Sequence, residues 1–126
     1  MALFVTAWKN RTSDERISFW SDAAEETLAT IDPAADKIRV KVGRPGEAPI
    51  LEIVSGAPLA GGSNVTLANP CLCRFDQDDT ASLTAGIYEI EAAVVDASDG
   101  SVIKHAVSGV FNLLETILGK KPQEKM

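Results

Sequence analysis

The sequence predicts an all-β domain, an antiparallel sandwich of about seven to nine strands with room for one short helix. Three observations carry this. Period-two alternation of apolar and polar residues recurs in short runs, the pattern of half-buried strands. Glycine, proline, asparagine or aspartate punctuates those runs at spacings typical of all-β domains. A chain of 126 residues, 45% of them hydrophobic, matches one such sandwich and leaves little room for a second domain.

Taken in order, the first strand runs from Ala2 to Trp8. A polar bend made of Asn10, Ser13 and Asp14 leads to a second strand at Arg16 to Trp20. Ser21 to Ile31 reads either as one or two helical turns or as a loop with a short strand. Asp22 and Glu25 have capping spacing, and Ala24, Leu28 and Ile31 recur at helical intervals. Ile38, Val40 and Val42 alternate with Lys37, Arg39 and Lys41, so one face is apolar and the other basic. Ile50 to Val54 follows, then a loop, Ser55 to Ser63, whose three glycines and one proline oppose regular structure. Asn64 to Ala68 and Cys71 to Phe75 are the next strands. Ile87 to Asp96 is the longest, with Tyr88, Ile90, Ala92 and Val94 on one face. Asp99-Gly100 suits a tight hairpin turn because both tolerate positive φ. The returning strand is Ser101 to Leu114, with Gly109 as a bulge or bend. The domain is expected to span residues 1–118, followed by a tail at 119–126.

Charge and composition narrow the function classes. Twelve basic and 18 acidic residues give a net charge of −6, which disfavours a sequence-independent hold on nucleic acid or anionic lipid. Residues 1–118 hold 17 acidic and 9 basic side chains, so the last eight residues are net basic. No apolar run reaches the ~18 residues of a membrane span, and the amino terminus lacks a signal-peptide pattern. The expected location is cytoplasmic, with no nucleic-acid and no membrane partner.

No set of residues at catalytic spacing is apparent, and no cofactor or metal is expected. His105, the single histidine, reads as a strand residue. Cys71 and Cys73 place two thiols on one strand face, too far apart along it to bridge each other, and read as buried reduced thiols. Asp76-Gln77-Asp78-Asp79 reads as a solvated turn, with calcium as the alternative. Trp8, Phe19 and Trp20 read as core or interface anchors, with sugar stacking as the alternative.

The most specific pattern is Thr80-x-x-Leu83-x-x-Gly86-x-Tyr88-x-x-Glu91, followed by Asp96, Gly100 and Gly109-x-Phe111. Leu83 would plug the sandwich, Gly86 would allow a tight corner, and the Tyr88 hydroxyl would reach backbone upstream, as in the tyrosine corner of immunoglobulin-like sandwiches. The stretch resembles immunoglobulin-like domains of bacteriophage and prophage structural proteins, of the type found at the amino terminus of baseplate upper proteins. That resemblance implies a non-enzymatic structural or protein-interaction module that self-associates or joins an assembly, and a virion-associated location as the alternative to a cytoplasmic one. Phe111, Leu113, Leu114, Ile117 and Leu118 favour packing on the sandwich or on a neighbour. The alternative is a carbohydrate-binding module using Trp8 or Trp20 and the Asp76 to Asp79 loop.

Overall fold

In the computed structural model, which describes residues 3–115, eight strands and one short helix follow in the order β1 (Leu3–Trp8), β2 (Ser13–Ile17), β3 (Asp36–Gly43), β4 (Leu51–Val54), β5 (Asn64–Val65), β6 (Cys71–Phe75), α1 (Gln77–Thr80), β7 (Gly86–Asp96) and β8 (Ile103–Leu114). They form a five-stranded sheet, β1-β8-β7-β3-β4, and a three-stranded sheet, β2-β6-β5. The expected all-β sandwich is therefore the fold. One pairing departs from a purely antiparallel scheme, because β1 runs parallel to β8. The expected tail at 119–126, together with Ile117 and Leu118, lies outside the described residues.

Alternation explains which face each strand buries. Ile38, Val40 and Val42 of β3 and Tyr88, Ile90, Ala92 and Val94 of β7 turn inward. From the smaller sheet they meet Ile17, Val65, Cys71, Cys73 and Phe75 in one apolar cluster. Phe75 of one sheet and Phe111 of the other pack with ring centroids 5.0 Å apart and planes tilted by 54°, a favoured aromatic geometry. Outward, Lys41 has Glu52 of β4 and Glu91 of β7 as its register neighbours. Lys41 is thus flanked by acid on both sides, whereas Arg39 lies between Val54 and Ala93 and donates to Gly100 O.

Several expected elements are corrected. The second strand begins at Ser13, not Arg16, and Trp20 survives only as an isolated bridge to Leu28. Ser13 and Asp14 pair with Phe75 and Arg74 of β6, so the bend falls earlier, where Asn10 takes φ 68°. Ser21 to Ile31 contains no helix. Asp22 accepts instead from the amides of Glu26 and Thr27, and Glu25 adopts φ 59°, which closes a loop. The short helix lies at Gln77–Thr80, capped by Asp76 accepting from Asp78 N. The β7–β8 connection is wider than a two-residue turn: Asp96 N donates to Val102 O, and Gly100 is absent from the positive-φ glycines. Gly109 lies in regular register opposite Ile90, and the bulge falls at Lys104, between the pairs Val94–His105 and Val95–Ile103.

That bulge has a use. The added residue lets Lys104 reach the carboxylate of Asp36 on β3. Asp36 is only 4% exposed and also accepts from Asp32 N at 2.8 Å. Lys104 and the Asp32 amide hold the Asp36 carboxyl below the usual aspartate range. Asp14, hydrogen-bonded to Arg74, Asp96, bonded to Ser98, and Asp99, bonded to Ser101, are also lowered. A carboxyl lowered on folding contributes stability above its unfolded pKa, and that contribution disappears as pH falls through the folded value. Glu15, raised by burial, acts in the opposite sense, since acid relieves it. With four groups against one, the urea midpoint is expected to fall as pH is taken below about 5, and Asp36→Asn should show a shallower fall.

The turn before β7 has corner geometry. Tyr88, 3% exposed, donates from its hydroxyl to Thr84 O at 2.5 Å. Leu83 packs against the core, Gly86 takes φ 155°, and the Arg44 guanidinium lies 4.6 Å from the Tyr88 ring centroid. Tyr88→Phe removes the donor and leaves the ring in place, so urea denaturation should register a loss of about 1 kcal/mol.

Candidate functional site

Among the described residues, the strand beside β8 on the side away from β7 is β1, and it begins at Leu3 opposite Gly109. Among the described residues, Ile103 to Ser108 therefore pair on one side only. β2 is likewise the edge of its own sheet. These two edges flank the open side of the sandwich, and a cleft of about 880 Å³ lies between them. Its walls come from β2 and the loop after it, including Glu15, Phe19, Trp20 and Asp22, and from His105 to Ser108 of β8 with Leu3 and Phe4 of β1.

Alternation along β2 turns Ser13, Glu15 and Ile17 toward the other sheet, while Asp14 and Arg16 face out. Glu15 is thus an inward-facing carboxylate, level with Cys73 in register. Burial pushes its pKa up, and its side chain makes no hydrogen bond or ion pair among the described residues. His105 and Val107, opposite Val94 and Ala92, occupy the inner side of β8. Phe4 borders the cleft, and its side chain, 71% exposed, alternates with buried Val5 and so lies on the outer face of its sheet. The arrangement offers an apolar floor, a carboxylate and two unpaired strand edges. Glu15, Ser18, His105 and Ser108 all line it, but no hydrogen bond links their side chains among the described residues, so no nucleophile and base are aligned.

The loop forming one wall is held from afar. Asn69, between β5 and β6, accepts from Phe19 N at 3.0 Å and donates to Phe19 O at 2.8 Å and Ala29 O at 2.7 Å. Asn69 escaped the sequence reading because Asn-Pro marks only a local turn, whereas its partners lie far away in the chain.

Sequence-predicted residues scatter. Leu83, Gly86 and Tyr88 belong to the corner before β7 and line no part of the cleft. Trp20 and His105 line it, Phe19 is largely core, and Trp8 sits at the far end of β1, opposite Leu114. The Asp76 to Asp79 segment is not brought together with Trp20. It follows Phe75, the register partner of Ser13, at the other end of β2. Asp79 also departs from a solvated turn, accepting from Gly61 N at 3.0 Å and Ser63 N at 2.8 Å. Among the described residues no group of three or more His, Cys, Asp or Glu is placed to hold a metal. Cys71 and Cys73 are buried free thiols, and desolvation pushes Cys71 up to about 11 and Cys73 further. No described helix is long and apolar enough to cross a membrane.

These features define a class: an all-β two-sheet sandwich with one open side. No protein-family model matches the chain, and it has no match among curated proteins or solved structures.

Proposed function

We propose that this chain is a non-enzymatic structural or protein-interaction module of immunoglobulin-like type, a self-assembling component of the phage-type virion class. The strand order supports the immunoglobulin-like reading. The three-stranded sheet β2-β6-β5 and the run β4-β3-β7-β8 correspond to the B-E-D and C′-C-F-G sheets of such domains, and the tyrosine corner falls at the start of the F-like strand. The departure is the cysteines. They lie together on β6 and do not bridge the B- and F-like strands.

The observation that carries the interaction role is the half-paired edge of β8 beside the cleft, since an unpaired strand edge is a template for another chain. Exposed Phe4 and Ile87, 71% and 69% accessible, add apolar area on the outer face of the same sheet. Virion-type assemblies are built by repeated contacts between copies. Light scattering coupled to size exclusion is expected to give an average mass that rises above the 13.4 kDa of one chain as concentration increases into the high micromolar range. A constant monomer mass would contradict the reading. Carbohydrate binding is the second reading, favoured by Trp20 in the cleft, and silence on a glycan array with and without calcium would sink it.

A further inference from the structure

We infer that the cleft between β2 and β8 receives residues 116–126 of a second copy as an added strand beside Ile103 to Ser108, with Leu118 inside the sandwich and Lys120 against Glu15. The inference rests on the self-assembly reading and supplies its interface.

Four observations point to this occupant. The half-paired stretch of β8 covers six residues, about 20 Å of strand, and an extended segment there continues the line already begun by β1. Residues 116–126 number eleven and reach about 36 Å when extended, enough to fill that stretch with a lead segment to spare. Their sequence, Thr-Ile-Leu-Gly-Lys-Lys-Pro-Gln-Glu-Lys-Met, has the spacing the cleft requires. In a strand, Leu118 and Lys120 share a face, so an apolar side chain pointing at Phe19 and Val107 puts an ammonium on the side of Glu15. Charge is complementary too: the cleft carries the carboxylates of Glu15, Asp22 and Glu25 against the one guanidinium of Arg16, and the segment has three lysines against one glutamate.

Where the segment starts argues for a second copy. It leaves β8 after Leu114, at the end of the strand opposite the cleft, and β1 occupies the edge between, from Gly109 to Leu114. Returning within the same chain would mean passing outside β1. Between copies, tail into cleft closes as a dimer where two chains exchange tails reciprocally, and otherwise runs head to tail into rings or filaments. Glu15 faces inward with no hydrogen-bond or ion-pair partner among the described residues, and Lys120 of the second copy would supply one.

The test is a charge swap in the full-length chain, read by concentration-dependent light scattering. Glu15→Lys alone and Lys120→Glu/Lys121→Glu alone should each weaken association about tenfold or more, and the chain carrying all three changes should recover it to within about threefold. Circular dichroism checks that each variant folds. Should Glu15→Lys fail to fold, a free peptide of residues 116–126 supplies the same test: it should dissolve wild-type assemblies, and its Lys120→Glu/Lys121→Glu version should not. Association untouched by either reversal, association not recovered by the swap, or assemblies indifferent to the peptide would each overturn the tail-in-cleft interface and leave self-assembly standing. A wild-type chain that never associates would overturn both.

Discussion

Gly109→Ala is expected to detach the start of β1 from the sandwich. A Cβ placed on Gly109 would lie 1.7 Å from Leu3 O, 2.6 Å from Leu3 C and 2.7 Å from Leu3 N. These are backbone atoms of the neighbouring strand, so no rotamer change relieves the overlap. β1 must move, and Val5 and Ala7, each 1% exposed, lose their packing with it. Overpacking against side chains typically costs 1–3 kcal/mol, and a clash with backbone belongs at or above the top of that range, about 3 kcal/mol. Urea denaturation measures the loss, and amide exchange at Val5 and Ala7 should accelerate more than at Ile38 or Val40. A stability within about 0.5 kcal/mol of wild type would show that β1 does not pass over Gly109 as described.

Asn69→Ala should have a comparable effect by another route. One side chain satisfies Phe19 N and Ala29 O and adds a second donor to Phe19 O, which already accepts from Ala29 N, so two backbone groups depend on Asn69 alone. Each backbone group left unpaired in a partly buried place costs about 1–3 kcal/mol, and water recovers part of it, so the net loss should be about 3 kcal/mol. Asn69→Asp is the informative companion. It keeps the shape and the acceptor for Phe19 N but loses the two amide donations and sets a charge against two carbonyl oxygens. It should therefore be at least as damaging as alanine. Both variants should also free the loop of Trp20, seen as increased quenching of tryptophan fluorescence by acrylamide. An Asn69→Asp protein as stable as wild type would contradict the latch.

Strands whose signal is local were legible in the sequence. β3, β6 and β7 show strict alternation over five or more residues, and each was expected within a residue or two of where it lies. β2 was misplaced because its inner face carries Ser13 and Glu15 in place of apolar residues, the consequence of bordering the open side. The four-residue helix α1 is too short for any period to register, although Asp76 at its cap was visible as part of an acidic cluster. Gly109 drew attention as a glycine in a strand, but the reason for it, the passage of Leu3, depends on a parallel pairing between the two ends of the described chain. Of the cleft, Trp20 and His105 stand out in the sequence singly, as a large aromatic and the one histidine. Glu15 and Asn69 do not, because what distinguishes them is what faces them across the sandwich, which no local pattern encodes.

Among the described residues of one chain β8 is half-paired from Ile103 to Ser108, and assembly is expected to complete its pairing. Amide hydrogen exchange along β8 tests it most directly, measured once at a concentration where light scattering finds monomer and once where it finds assemblies. In the monomer, alternate amides from Ile103 to Ser108, those turned away from β7, should exchange quickly, while the amides from Val110 to Leu113, between β7 and β1, stay protected. In the assembled sample, the fast set should slow by about tenfold or more. Protection of the whole of Ile103 to Ser108 already present in the monomer, or no gain on assembly, would contradict strand addition at this edge.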